Sequence, residues 1–216
     1  MTTFLGAVNN VLKRLREPVV TSVTDTDYSQ MIGVFINDAK REVEDANDWN
    51  ALSDTLTAVT TAGVFNYVLV GSRVRFRVID ILNETKKTPL HYASTTWMDR
   101  QFILTDAQQG SPNYYNFNGV DENGDTQVDL FPVPEAVYNI RFNLIIPQAD
   151  LEEDSDRILV PSHVVSLLAY SKAIAERGED SGVQSSEAYQ MYRLALADAV
   201  AIERNHYLEE MYWIGV

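Results

Sequence analysis

The chain has 216 residues, no cysteine and a formal net charge of −14 at pH 7. The lack of cysteine excludes disulfides, thiol catalysis and thiolate metal sites, and the acidity excludes a surface that binds nucleic acid over its whole area. Its length suits one large domain or two small ones. The opening MTTFLGAVNNVLKRLRE lacks the order of a secretory signal, and no apolar stretch reaches about 18 residues, so we expect no membrane partner.

Two helices are predicted near the amino end. The first covers residues 3–16 and ends before Pro18, and the second begins after Thr26 and covers residues 27–50. In the second helix, apolar residues recur at steps of four and three, and the charged residues between them are expected to face solvent. The apolar residues are Tyr28, Ile32, Phe35, Ala39, Val43, Ala46 and Trp49, and the charged ones are Asp38, Lys40, Arg41, Glu42, Glu44 and Asp45.

From residue 55 the pattern changes from helical to alternating, which predicts strands. The first three are TLTAVTTAG, VFNYVLV and RVRFRVIDIL, with turns at Gly63 and Gly71, and the later ones are TQVDLFPVP and AVYNIRFNLII. Pro132 and Pro134 predict an edge or a bend in the sheet. Between these groups, STTWMDRQF (94–102) is predicted to be a short helical insertion capped by Ser94 or Thr95, and QQGSPNYYNFNG a loop.

The carboxyl-terminal third is predicted to be helical again. An acidic loop, QADLEEDSD (148–156), precedes a helix from Val160 to Arg177, and a final helix covers residues 185–210. The sequence therefore predicts an α+β fold, mainly an α-helical bundle formed by the N- and C-terminal helices with an inserted small antiparallel β domain. Residues 1–54 and 157–216 would form the discontinuous bundle, and residues 55–156 the β domain.

Signatures of catalysis or metal binding do not occur in the sequence. The three histidines, His91, His163 and His206, are far apart, and neither HExxH nor His-x-His is found. GxSxG, a phosphate-binding loop and GxGxxG are also missing. We therefore expect no catalytic residue, no cofactor and no metal site.

One acidic segment, VDENGDTQVDL, has the spacing of the start of a calcium loop at Asp121, Asn123 and Asp125. An EF-hand needs its glycine at position six, but Gly124 falls at position four. Asn-Gly is the usual two-residue turn of a β-hairpin. The sequence therefore favours a hairpin over a calcium site.

Arginines alternate with apolar residues in the segment SRVRFRV. If this segment is a strand, Arg73, Arg75 and Arg77 share one face. The three guanidinium groups then form either an ordinary solvated face or a basic stripe that meets carboxylates of a neighbouring subunit, or phosphates. The acidic loop offers candidate carboxylates at Asp150, Glu152, Glu153, Asp154 and Asp156.

The last residues are unusually apolar for the end of an acidic chain. Met211, Tyr212, Trp213 and Ile214 either fold back on their own helices or anchor another protein, because Trp and Tyr carry much of the energy of protein interfaces. Glu209 and Glu210 oppose the negative end of the final helix dipole. We expect residues 208–216 to gain order on a partner.

Several segments together resemble a known family. The opening FLGAVNNVLKRLRE, the segment DTDYSQMIGVFINDAKREVEDANDWNAL, the β domain, VPSHVVSLLAYSKAIAERGED and the long final helix resemble the head-to-tail adaptor (connector) of tailed bacteriophages. The version of short-tailed phages, the tail tubular protein A type, is the most similar. The second segment, which leads directly into a Thr-rich strand, is the most specific part, and the resemblance covers nearly the whole chain.

The resemblance implies a structural virion protein rather than an enzyme. Such adaptors form a ring of copies, usually twelve, below the portal protein at the neck of the virion, after assembly in the host cytoplasm. The ring extends the channel for double-stranded DNA, which passes without sequence specificity, and supports the tail nozzle or tail fibres. In that setting Met211, Tyr212, Trp213 and Ile214 are candidates for portal docking, and the acidity suits a lumen that repels phosphates.

Two alternatives remain open from the sequence. One is a different neck or tail-tube subunit. The other is a glycan-binding or glycan-cleaving virion module, in which Tyr114 and Tyr115 of the β domain would face the sugar and a pair of carboxylates would cleave it.

Overall fold

The computed structural model describes residues 2–73, 75–104, 106–178 and 182–205. These residues divide into two compact units. The helical unit comprises the described residues up to Leu52 and from Gln148 onward, and the β unit comprises Ser53–Pro147. The architecture is α+β, as the sequence predicts. The sequence-based boundary at residue 156 differs, because residues 148–156 lie in the helical unit.

Four helices build the described part of the helical unit. They are α1 Phe4–Arg14, α2 Asp27–Ala46, α4 Ser162–Arg177 and α5 Val183–Arg204. Helix α2 packs against α1 and α4, and α5 packs against α4. Buried apolar side chains of α1, α2 and α4 form most of this core, including Val8, Ile36 and Val164, which are fully shielded from solvent.

Helix α2 begins as the sequence predicts and ends earlier. The Thr26 hydroxyl accepts a hydrogen bond from the Ser29 amide at 3.0 Å, and the Ser29 hydroxyl in turn accepts from the Thr26 amide at 3.1 Å, which forms a capping box. The helix ends at Ala46 rather than at residue 50. Trp49 then turns back, and its indole donates to the carbonyl of Val43 at 2.7 Å. This bond satisfies a helix-end carbonyl and explains why Trp49 is buried outside the helix.

The expected solvated face of α2 contains a buried ion pair. The side chains of Lys40 and Glu44 are fully shielded from solvent, and the Lys40 ammonium lies 3.4 Å from Glu44 Oε1. The same ammonium donates to the carbonyls of Gln148 and Ala149 at 2.8 and 3.0 Å. The sequence-based placement of Lys40 and Glu44 in solvent is therefore wrong, because the returning chain covers them.

The acidic loop is attached to the helical unit along its length. The Asn37 side chain donates to the Leu151 carbonyl at 3.1 Å and accepts from the Leu151 amide at 2.9 Å. Arg41 forms an ion pair with Asp150, and the amide of Phe4 donates to the Asp156 carbonyl at 2.7 Å. These bonds explain why residues 148–156 belong with the helices.

The described residues of the β unit form two four-stranded sheets and a two-stranded ribbon. The strands are β1 Ser53–Val59, β2 Asn66–Leu69, β3 Arg77–Asn83, β4 Thr88–Pro89, β5 His91–Tyr92, β6 Gln109–Gly110, β7 Tyr114–Val120, β8 Thr126–Phe131, β9 Val133–Pro134 and β10 Asn139–Ile145. The first sheet has the order β1-β10-β3-β4, the second β2-β8-β7-β5, and the ribbon pairs β6 with β9.

Pairing within the β unit departs from the predicted antiparallel arrangement. Most pairs are antiparallel, but β5 pairs with β7 and β6 pairs with β9 in parallel. The β unit is therefore mixed. Its core lies on the inner faces of both sheets, where Val128, Leu130, Ile140 and Phe142 are fully buried.

Two segments of the β unit differ from their predicted structure. The segment YYNFNG, predicted as a loop, forms most of β7, whose side chains include the buried Asn116. Its hairpin with β8 closes through the five residues 121–125, so the hairpin itself is confirmed and the two-residue turn is wrong. Strand β8 ends at Phe131, and the chain leaves the sheet at Pro132, as the prolines predict.

The predicted helical insertion is present. Helix α3 covers Thr95–Asp99 and continues as a π-helical turn over Arg100–Leu104. The Ser94 hydroxyl caps it by accepting from the Trp97 amide at 3.3 Å. Met98 is buried against Phe131, which fixes the insertion on the second sheet.

Candidate assembly surfaces

Helix α5 has an apolar face that the described chain leaves uncovered. Only Ala188 and Tyr192 are buried among its 22 residues. Met191, Leu194 and Ile202 are exposed by 55%, 71% and 63%. Their spacing of three and eight residues places them on one side of the helix. Because isolated apolar side chains at a surface are ordinary but a contiguous stripe is not, this face is a candidate interface.

The apolar face borders a groove between α5 and α4. The groove has a volume of about 620 Å³ and is mainly apolar. Leu167 and the exposed His163 line it from the side of α4, and Trp49 closes one end. At that end the amide of Asn50 donates to the Glu203 carboxylate at 2.7 Å, which ties the last turn of α5 to the segment after α2. The sequence analysis did not single out this groove, although the repeat of apolar residues in the final helix carried its signal.

The three arginines do not form the predicted continuous strand. Arg73 has a left-handed backbone with a φ of 56°, and strand β3 begins only at Arg77. The turn is held by Asp125, whose carboxylate accepts from the amides of Gly71 and Arg73 at 3.0 and 3.2 Å. The prediction of one strand face is therefore wrong, because this turn rotates Arg73 out of the strand. All three side chains are exposed.

The guanidinium group of Arg73 has a partner within the β unit. It donates to the carbonyl of Pro147 at 3.0 Å. Arg75 and Arg77 are the two exposed arginines on the stretch that leads into β3. A role for the three residues in contacts between subunits stays a prediction.

Three of the five acidic side chains named in this loop form ion pairs or hydrogen bonds within the helical unit. Asp150 pairs with Arg41, and Asp154 accepts from the Val23 amide at 2.9 Å. Asp156 accepts from the amides of Glu152 and Glu153, both at 2.9 Å, and these bonds lower the pKa of its carboxyl group. Glu152 and Glu153 themselves are exposed.

The calcium-like segment uses its acids to build the hairpin loop. Asp121 Oδ1 accepts from the amides of Asn123 and Asp125 at 2.9 and 2.8 Å, and these bonds lower the pKa of Asp121. Asp125 in turn holds the turn at Gly71. Among the described residues, no group of three His, Asp or Glu side chains is arranged to hold a metal ion. His91 and His163 lie in different units, and His206 lies outside the described residues.

The two tyrosines of the glycan alternative do not share a face. They are consecutive in β7, so their side chains point to opposite sides of the sheet. Tyr115 is half-buried against the core, whereas the ring of Tyr114 contacts that of Trp97 at a tilt of 46°, with ring centroids 4.9 Å apart. A sugar platform made of both rings is therefore not formed.

Met211, Tyr212, Trp213 and Ile214 lie outside the described residues, so their role in docking stays a prediction. Across the part of the chain that is described, no helix has both the length and the apolar character needed to cross a membrane.

The comparisons with known proteins support one family. The model of the SU10 adaptor protein family matches residues 2–210, which is nearly the whole chain. No curated protein matches the chain. The match confirms the resemblance to phage head-to-tail adaptors, which are structural proteins and not an enzyme family, while the closeness to short-tailed phages stays a prediction. The helices at both ends, the β unit inserted between them and the exposed face of α5 all lie within the matched residues, and the chain belongs to the SU10 adaptor protein family.

Proposed function

We propose that this protein forms a ring, of twelve copies, below the portal of the virion. The ring extends the DNA channel at the neck and provides the platform for the tail nozzle or tail fibres. The observation that carries the proposal is the family match over residues 2–210. The net charge of −14 supports it, because an acidic lumen repels phosphates and lets DNA pass without adhering.

The helical unit supplies the contacts between neighbouring copies in this proposal. In a bundle of N- and C-terminal helices with the β unit inserted, long helix faces are available to contact the neighbouring copy. The exposed apolar stripe of α5, at Met191, Leu194 and Ile202, supports this placement. In a ring each copy contacts its neighbours, so part of its surface is covered only by them. The experiment is mass photometry of the chain with isolated portal rings. A portal mass raised by the mass of twelve 24.4 kDa chains supports the ring, and an unchanged portal mass contradicts it.

Leu194→Glu is expected to weaken ring formation and to leave the subunit folded. The side chain is 71% exposed in one copy, so the charge costs little there, but it would be desolvated in an interface. The measurement is the concentration at half-assembly, which should rise about tenfold or more.

The matched control is Val183→Glu. Val183 lies on the same helix, is 62% exposed and does not line the groove. The Val183→Glu variant should assemble as the unaltered chain does. If Leu194→Glu and Val183→Glu behave alike, the α5 face is not the contact between copies.

Reversal of the three arginines is expected to weaken assembly through the β unit. Arg73, Arg75 and Arg77 are exposed and, in this proposal, face a neighbouring subunit or a partner rather than the centre of the channel. Changing all three to Glu should reduce assembly at physiological salt while circular dichroism remains unchanged. A parallel Arg75→Glu, Arg77→Glu variant keeps the bond from Arg73 to Pro147, so it separates loss of the contact between copies from loss of that bond within the β unit. Normal assembly of both variants would refute this role.

A further inference from the structure

A basic pocket lies at the carboxyl end of α1 in the helical unit. It has a volume of about 470 Å³ and a largely polar lining that includes Arg14, Arg16, Tyr170 and Arg177. The Arg14 guanidinium lies over the Tyr170 ring, 5.9 Å from its centroid. Such a concentration of cations is unexpected in a chain whose net charge is −14. We call these four residues the basic pocket.

The backbone at the pocket holds an arginine where glycine is usual. Helix α1 ends in a Schellman motif, in which the amide of Glu17 donates to the Leu12 carbonyl at 2.9 Å and that of Arg16 to the Lys13 carbonyl at 3.2 Å. Arg16 occupies the left-handed position of this motif with φ of 59°. A residue with a Cβ is strained in that conformation. Strained backbone positions cluster at binding sites, so this conformation favours a binding role for the Arg16 side chain.

Arg177 is paired within the helical unit, whereas Arg14 and Arg16 are exposed and Arg14 also donates to Asn10 Oδ1 at 3.5 Å. Arg177 forms an ion pair with Glu17 and donates to the Tyr28 hydroxyl at 2.8 Å. Arg14 and Arg16 are exposed at the rim. Their guanidinium groups can each bind a carboxylate in a bidentate manner.

Two exposed carboxylates lie at the opposite end of α1. We call Glu152 and Glu153 the acidic turn. Their amides are fixed by Asp156, and the neighbouring Asp154 carbonyl accepts from the Leu5 amide at 3.2 Å, next to the start of α1. Because the helix has 11 residues, its ends are about 16 Å apart. This separation exceeds the Debye length of about 8 Å at physiological salt, so the two charged groups are screened from each other within one copy.

We propose that the basic pocket of one copy binds the acidic turn of a second copy. The inference rests on the proposed ring and adds the surfaces that meet in it. Opposite charges at opposite ends of one helix give a head-to-tail contact, which is the kind that closes a ring. Complementary charges also fix the register of the contact and suppress wrong pairings between acidic copies.

The test begins with charge reversal and then restores the pairing. Arg14→Glu with Arg16→Glu should raise the concentration at half-assembly about tenfold or more, measured by sedimentation velocity with portal rings present. Glu152→Arg with Glu153→Arg should weaken assembly to a similar extent. The chain that carries all four changes should assemble nearly as the unaltered chain does. Assembly of the unaltered chain should also weaken as salt rises from about 0.1 to about 0.5 M.

The matched control is Lys86→Glu with Lys87→Glu in the β unit, which changes the net charge equally and should have little effect. If the fourfold variant remains as weak as either double variant, the acidic turn is not the occupant of the pocket. Glu179 and Asp180, which follow Gly178 and lie outside the described residues, stay unchanged in all variants, so they do not account for restoration. A ring unaffected by reversal of Arg14 and Arg16 overturns this inference alone, whereas no ring with the unaltered chain overturns the proposed function as well.

Discussion

Deleting residues 211–216 is expected to abolish attachment of the protein to portal-bearing heads and to leave its thermal unfolding almost unchanged. The described core of the helical unit is built from α1, α2 and α4 without these residues. Burying a Trp and an Ile contributes on the order of 2–4 kcal/mol per copy before ordering costs. One tail would therefore bind weakly, but many tails on one ring bind together with high avidity.

The control keeps the length of the chain. Trp213→Ala with Ile214→Ala should lose attachment as the deletion does, whereas Glu209→Gln with Glu210→Gln should retain it. Attachment is measured by co-sedimentation with portal-bearing heads, and unfolding by scanning calorimetry. A large fall in melting temperature with attachment intact would show that the tail closes its own helical unit instead of docking on the portal.

Breaking the ion pair between Lys40 and Glu44 is expected to cause the largest loss of stability. Lys40→Met should lower the free energy of unfolding by about 3 kcal/mol or more, because it leaves the Glu44 carboxylate buried without its cation. It also removes the donor from the carbonyls of Gln148 and Ala149, where the chain returns from the β unit. Burial lowers the pKa of Lys40, and the Glu44 carboxylate opposes that shift.

A surface ion pair between α2 and α4 provides the control. Lys172 lies 2.6 Å from Glu42, and both side chains are partly exposed, so Lys172→Met should cost less than about 1 kcal/mol. The double variant Lys40→Met, Glu44→Leu should lose less than the sum of its single changes, since no charge is then left buried. Urea unfolding measures all four variants. If Lys40→Met costs no more than Lys172→Met, the buried pair does not hold the returning chain.

Local signals in the sequence predicted the helices well. The Thr26 cap and the apolar repeat of α2 depend on neighbours in the chain, and the structure retains both. The same repeat could not show that Lys40 and Glu44 are buried, because the chain that covers them is more than 100 residues away in sequence. Burial of charged residues depends on such tertiary contacts rather than on periodicity.

The β unit was harder to predict for a related reason. The polar residues of YYNFNG are typical of loops, yet β7 places them between β8 and β5, and Asn116 is buried with its amide donating to the Thr95 hydroxyl at 3.0 Å. The alternation at Arg73 looked like a strand, but Asp125 turns the backbone there. Both outcomes depend on partners distant in sequence.

Some candidate surfaces could be predicted from the sequence, and others depend on how the helices pack. The sequence indicated the arginines and the tail, whereas the groove beside α5 and the basic pocket became visible only once α4, α5 and α1 were placed together. Arg14 and Tyr170 are more than 150 residues apart in the chain, and no spacing rule connects them.

The central claim is that this adaptor forms a ring on the portal. Negative-stain images of the purified chain mixed with isolated portal rings test it most directly. The account predicts additional rotationally symmetric density on one face of each portal ring, present with the unaltered chain and lost with the chain that lacks residues 211–216. Portal rings that show no symmetric density from this chain would contradict it.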